Sequence, residues 1–238
     1  MRLSLVLVFA LALALGATGC VSSRAKPPPE PLTGLHEGEA VTLVLHRYEE
    51  GEGQAVSGVS PAEARAIEAR LGGCLERALR ERNAPARFVS AEEFHRVVFP
   101  GLAYEQAPHR AETLIPLLEH PEFQRRAATL HLRQVVVVDG GTAQPSEGGI
   151  LCAGGYGGGA CFGLVIWHRD SQLRAVVLDL AAARALEGPQ AISSSHAWFA
   201  MLAIVPLGMP AGFTKQRACD EFGDAVAASL TSGRPPEE

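Results

Sequence analysis

One arginine, Arg2, is followed by an unbroken apolar run from Leu3 to Leu15, and the segment closes on Gly16-Ala17-Thr18-Gly19-Cys20. The run is shorter than the roughly 20 apolar residues a helix needs to span a bilayer. It fits the ~7–15 residue core of a secretory signal peptide. Met1–Gly19 is therefore read as a leader that takes no part in the fold. What remains, about 218 of the 238 residues, is a chain that must fold after export, in an oxidising compartment. That length suits one domain, and a 47% hydrophobic content is ample for its core.

The small residues before Cys20 resemble a lipobox. The resemblance implies that Cys20 is acylated and becomes the new amino terminus. The alternative is an ordinary cleaved signal that leaves Cys20 as an odd thiol and the protein soluble in the periplasm. Val21 is not the aspartate that, in such lipoproteins, retains the product at the inner membrane. The implied address is the outer membrane, facing the periplasm. Several acyl chains give stable anchoring, each buried CH₂ adding roughly 0.8 kcal/mol.

Without Arg2 the balance is 20 cationic against 26 acidic side chains, a net charge of −6. A mildly acidic chain lacks the basic footprint of a nucleic-acid binder. No cofactor motif is present.

Apart from Cys20 there are four cysteines, Cys74, Cys152, Cys161 and Cys219. An even number in an exported domain points to disulfides, with three connectivities open. Local spacing favours Cys152–Cys161, closing a glycine-rich loop around Tyr156. Exclusion then pairs Cys74 with Cys219, each on the apolar face of a predicted helix. The alternative is two free core cysteines acting as small hydrophobes.

Residues 20–37 are expected to be the lipidated cysteine and a proline-rich tether. Pro27-Pro28-Pro29-Glu30-Pro31 favours extended polyproline II. A single α/β domain is expected over 38–231, followed by a tail, 232–238. Val41–Tyr48 reads as a strand and Glu49–Ser57 as a loop. Ser60-Pro61-Ala62-Glu63 is a capping box with proline at the first helical position. Arg87-Phe88-Val89 is a short strand, and Ser90-Ala91-Glu92-Glu93 opens a second helix. Two short helical pieces follow.

The four valines of Gln134–Asp139 read as a buried central strand. Phe162–His168 and Leu173–Leu180 are expected to form a hairpin across Arg169–Gln172. A final helix runs over Lys215–Leu230. The fold class is α/β: a mixed sheet flanked by helices, with an antiparallel hairpin and a C-terminal helix.

That order of elements over Val41–Leu230, with the Ser90-Ala-Glu-Glu-Phe helix start and the Asp179-Leu180 strand end, carries a resemblance. It resembles the periplasmic α/β module shared by the TolB amino-terminal domain, the curli-secretion lipoprotein and the lipoprotein activators of penicillin-binding proteins. The Cys152–Cys161 segment and Trp167 are similar to those of uncharacterised proteobacterial lipoproteins. The resemblance implies a non-enzymatic envelope protein that binds other envelope proteins. Self-association into a homo-oligomer stays open.

Catalytic patterns fail one by one. There is no Gly-x-Ser-x-Gly elbow. Ser193-Ser194-Ser195-His196 sets hydroxyls beside a histidine, but neighbours along a strand point to opposite faces. The glycines around Tyr156 lack the Gly-Lys-Ser/Thr of a phosphate loop. The eight histidines show no close ligand spacing, so no metal is expected. Ala197–Phe213 carries no charge over seventeen residues. It is either packed over the sheet or an exposed apolar surface on which Trp198 and Phe199, with Tyr156, would contact a partner. A secretion-channel subunit would need strands of roughly 9–11 residues that cross the membrane in hairpins, and no long alternating pair is evident. A periplasmic hydrolase is the remotest alternative.

Overall fold

The computed structural model describes residues 21–52, 55–155, 158–203, 205–209 and 214–231, with backbone alone for 21, 52, 55–56, 154–155, 158–160, 197–203 and 205–209. The leader, Cys20, Tyr156 and the 232–238 tail lie outside the described residues. Nine strands form one mixed sheet: β1 Val21–Lys26, β2 Ala40–Glu52, β3 Ala55–Gly58, β4 Arg87–Val89, β5 Leu132–Gln144, β6 Ser146–Gly155, β7 Gly158–Asp179, β8 Arg184–Ala203 and β9 Val205–Met209. The order is β1-β8-β7-β5-β2-β3, with β4 on β2, β6 on β7 and β9 on β8. Pairings of β2 with β4 and with β5 are parallel; the rest are antiparallel. With its flanking helices this is the α/β class expected from the sequence.

Five helices cover the sheet: α1 Pro61–Glu81, α2 Ala91–Val98, α3 Ala111–Leu114, α4 Pro121–Thr129 and α5 Thr214–Thr231. α1 starts where the capping box requires, with Glu63 and Ser60 satisfying each other's backbone N–H. Strand β5 alternates across both faces. Val136 and Val138 join Leu43, Leu75, Phe222 and Val226 under α1 and α5. Val135 and Val137 join Val44, Phe94, Leu114 and Phe123 under α2–α4. That two-sided burial is why the strand reads as a continuous valine run. Cys74 of α1 and Cys219 of α5 are joined by a disulfide. There the two helices run so close that a Cβ on Gly223 would stand 2.8 Å from the Cys74 carbonyl.

The tether reading of 20–37 is corrected. Val21–Lys26 lies as an edge strand against Gln190–Ser195 of β8. After the prolines the chain dives into the core, where Leu32 and Leu35 are buried. The Thr33 carbonyl accepts from Gln134 Nε2 at 2.7 Å, and the Leu35 N–H donates to the Leu230 carbonyl. Proline forbids ladder pairing only over Pro27–Pro31; the residues on either side remain free to pair and pack.

The expected hairpin at Arg169–Gln172 is also corrected. β7 runs straight through it for 22 residues. Ser171 points inward to the Thr142 hydroxyl, 2.9 Å away, while Asp170 faces solvent. A polar stretch that alternates in this way satisfies a half-covered strand as well as a turn. The turn falls instead at Ala181–Ala183, where the Asp179 carboxylate accepts the N–H groups of Ala181 and Ala182 and Ala183 takes φ +48°. Glu49–Ser57 likewise holds paired strand residues of β2 and β3. The chain therefore does contain a long strand pair, β7 and β8, of 22 and 20 residues.

Candidate binding surface

Beyond the helices, β7 and β8 continue outward and are flanked by β6 and β9, making a four-stranded ribbon. Gly158–Trp167 is ten residues, or about 33 Å at the rise of an extended strand. No Asp, Glu, Lys or Arg occurs over 148–168 or 188–214. Leu151 is 82% exposed, and Phe162, opposite it in register, is 55% exposed. Leu164 lies on the same face as Phe162 and is exposed too, and Ile150 is exposed on the other face. Soluble surfaces seldom place apolar side chains together on a segment without charge.

Two features stiffen the ribbon. Cys152 and Cys161, opposite each other in register, form a disulfide between β6 and β7. At Gly163 a Cβ would stand 2.2 Å from the Gly149 carbonyl oxygen, so only glycine lets the two backbones approach this closely. Trp198 and Phe199 lie on the β8 part of the ribbon, paired with Ile166 and Val165. The described chain begins at the base of this ribbon, because Val21 pairs with Ser195.

At the base the sheet becomes polar. His168 and His196 face each other across β7 and β8. An open cavity of about 450 Å³ next to them is lined by Arg47, Glu49, Asp139, Asp170, Gln172 and Arg174. His46 Nδ1 sits 2.7 Å from the Asp139 carboxylate. Acids and arginines line this cavity together with Thr142, whose hydroxyl is engaged by the hydroxyls of Tyr48 and Ser171. Ser193 and Ser195 are fully buried, while His196 is exposed on the opposite face. The three serines and His196 do not converge.

A second polar cluster sits inside the domain. Glu68 of α1 accepts the Leu45 N–H at 2.6 Å and is also hydrogen-bonded by the Tyr104 hydroxyl. Burial pushes the Glu68 carboxyl above its ordinary range and the Tyr104 phenol above its own, the latter helped by Glu68. His95 and His109 stack at 4.6 Å between ring centroids. His95 is 6% exposed, neither of its ring nitrogens has a partner, and burial holds it down at about 4. Burial also lowers His109, whose Nδ1 meets the Ala107 carbonyl at 2.7 Å. Burial disfavours the charged form of each of these groups, which suits a packing plug between α1, α2 and the 100–110 segment. Among the described residues, no three of His, Cys, Asp and Glu gather to hold a metal ion. No described helix is long and apolar enough to cross a membrane, which says nothing of strands.

The sequence singled out Cys152, Cys161, Trp198 and Phe199, and the fold brings all four onto the ribbon. It missed Leu151, Phe162, Leu164 and the His168–His196 pair. The signal for the apolar residues was the absence of charge over 148–168, which mirrors that of 188–214.

No family model matches the chain, and no curated protein does. Among solved structures, a dodecamer of a PelC point variant from Paraburkholderia phytofirmans is similar at 10% identity and a TM-score of 0.34, covering 89% of this chain and 99% of that one. A second PelC dodecamer from the same organism gives 10% identity and a TM-score of 0.33, covering 89% and 98%. Likeness at this level carries no argument about fold or task.

Proposed function

We propose that this chain is a lipoprotein acylated at Cys20, held at the outer membrane facing the periplasm, and that it acts without catalysis as a binding or scaffolding module in envelope assembly. The observation that carries the reading is the set of exposed apolar side chains Ile150, Leu151, Phe162 and Leu164 on a segment without charge over 148–168, standing on a charged sheet. Its partners are other envelope proteins, with the bilayer reached through the Cys20 anchor. The pairing of Val21 with Ser195 supports the arrangement, since the anchor would leave the domain at the foot of the ribbon.

A photo-crosslinking residue placed at Phe162 in the acylated chain tests this in native envelopes. The expected result is a discrete protein adduct from position 162 and none from Arg125, an exposed residue of α4. Equal, diffuse labelling from both positions would refute the contact role.

A second reading, a secretion-channel subunit, is favoured by one observation: β7 and β8 are long enough to project about 30 Å beyond the core. Particle mass in detergent separates the two. A large ring that conducts ions in planar bilayers supports the channel, and a monomer or dimer removes it.

A further inference from the structure

The geometry points to His168 and His196 as a chelating pair for a borderline divalent cation, copper(II) or zinc(II). The two residues are opposite each other in the β7–β8 register. Their Nδ1 atoms lie 2.7 Å apart, and the rings meet edge to face with centroids 4.7 Å apart. Imidazole nitrogens bind such ions at about 2.0–2.1 Å, so two of them in adjacent tetrahedral or square positions stand roughly 2.9–3.4 Å apart. Opening the pair by a few tenths of an ångström makes room for the ion. The β7–β8 register already holds the two nitrogens side by side, which removes part of the ordering cost of assembling a chelate.

The neutral pair shares one proton: the Nδ1–H of one ring donates to the bare Nδ1 of the other. Metal binding needs both Nδ1 lone pairs free, so the donating ring moves its proton to Nε2. No net proton is released from the neutral pair. No third His, Cys, Asp or Glu reaches the point among the described residues. The remaining coordination positions therefore fall to water, with Asp170 one step along on the same face of β7 as the nearest acid on that strand. The four described cysteines are closed in disulfides and do not compete. The site is independent of the binding reading above, though it sits at the foot of the same ribbon.

The test uses the full chain isolated from membranes in detergent, stripped with a chelator and titrated with copper(II) alone. One ion per chain is expected, with an electron paramagnetic resonance spectrum showing two imidazole nitrogens. His168→Gln and His196→Gln should each weaken binding on the order of 100-fold, the loss expected when one arm of a two-point attachment is removed. His120→Gln, on the exposed end of another segment, should leave it unchanged. A second measurement needs no variant: copper(II) broadening of amide resonances should centre on residues 167–169 and 195–197. Broadening centred elsewhere, or equal titrations by the wild type and the double variant, would overturn the assignment.

Discussion

The Thr33 hydroxyl donates to the fully buried carboxylate of Asp179, 2.8 Å away, and so fastens the amino-terminal segment to the end of β7. Asp179 also accepts the N–H groups of Ala181 and Ala182 and faces Arg133 Nη1 at 3.4 Å. Asp179→Ala would strip Arg133 of that partner and the β7–β8 turn of its cap. A loss of about 3–5 kcal/mol is expected, the range for breaking a buried pair. Thr33→Val removes one hydrogen bond and should cost about 1 kcal/mol. Urea unfolding of the two variants checks both values. A Thr33→Val protein as stable as the wild type would mean that the segment is not fastened in solution.

Gly223 and Cys74 set the spacing of α1 and α5. A side chain at Gly223 meets backbone and not a flexible tip. Gly223→Val should therefore destabilise by about 1–3 kcal/mol, the usual cost of overpacking. The Cys74–Cys219 bridge closes a span of 145 residues, and the Cys152–Cys161 bridge a span of only 9. On the chain-entropy model they contribute at most about 5 and about 3 kcal/mol. Thermal unfolding of the two double-serine variants should rank them in that order.

The valine run and the two serine caps were legible because each is a local pattern with a local cause. Val135–Val138 are buried on both faces, and Ser60 and Ser90 accept the N–H groups three residues on. The tether and the Arg169–Gln172 turn misread because composition there is silent about partners. Proline-flanked Leu32 and Leu35 are core residues only because α5 and β5 lie beside them, and Ser171 is a strand residue only because Thr142 faces it. The His168–His196 pair was invisible for the same reason. Twenty-eight positions separate the two residues, and only the β7–β8 register brings them together.

Acid should loosen the domain through His95. Burial holds its folded value at about 4, below the ordinary 6.5, so the unfolded chain takes up the proton first as pH falls. The stability tied to a neutral His95 is present above about pH 6.5 and is lost progressively towards pH 4, by up to ~3 kcal/mol. Glu68 runs the other way. Its raised value means that its contribution is lost as pH rises through that value, so acidification relieves a cost carried at neutral pH. His95→Leu should flatten the wild-type fall between pH 6.5 and 4 in denaturant titrations. An unchanged pH profile in that variant would place the sensitive group elsewhere.

Leu151 and Phe162 decide whether the ribbon is a surface or an extension of the core. Both are exposed and paired across β6 and β7, and the Cys152–Cys161 bridge next to them fixes that register without their help. A charge at either position should therefore leave the folded domain within about 0.5 kcal/mol of wild type, as for other exposed sites. The same charge should abolish whatever the uncharged face contacts, since an unpaired carboxylate entering an apolar interface must be desolvated. Leu151→Asp/Phe162→Asp is thus expected to unfold at the wild-type denaturant midpoint, to bind less of an apolar-surface dye, and to lose the protein adduct that a probe at Leu164 forms in the otherwise wild-type chain. A drop of more than about 2 kcal/mol would show instead that these side chains support the fold. The ribbon would then belong to the core and not to a partner.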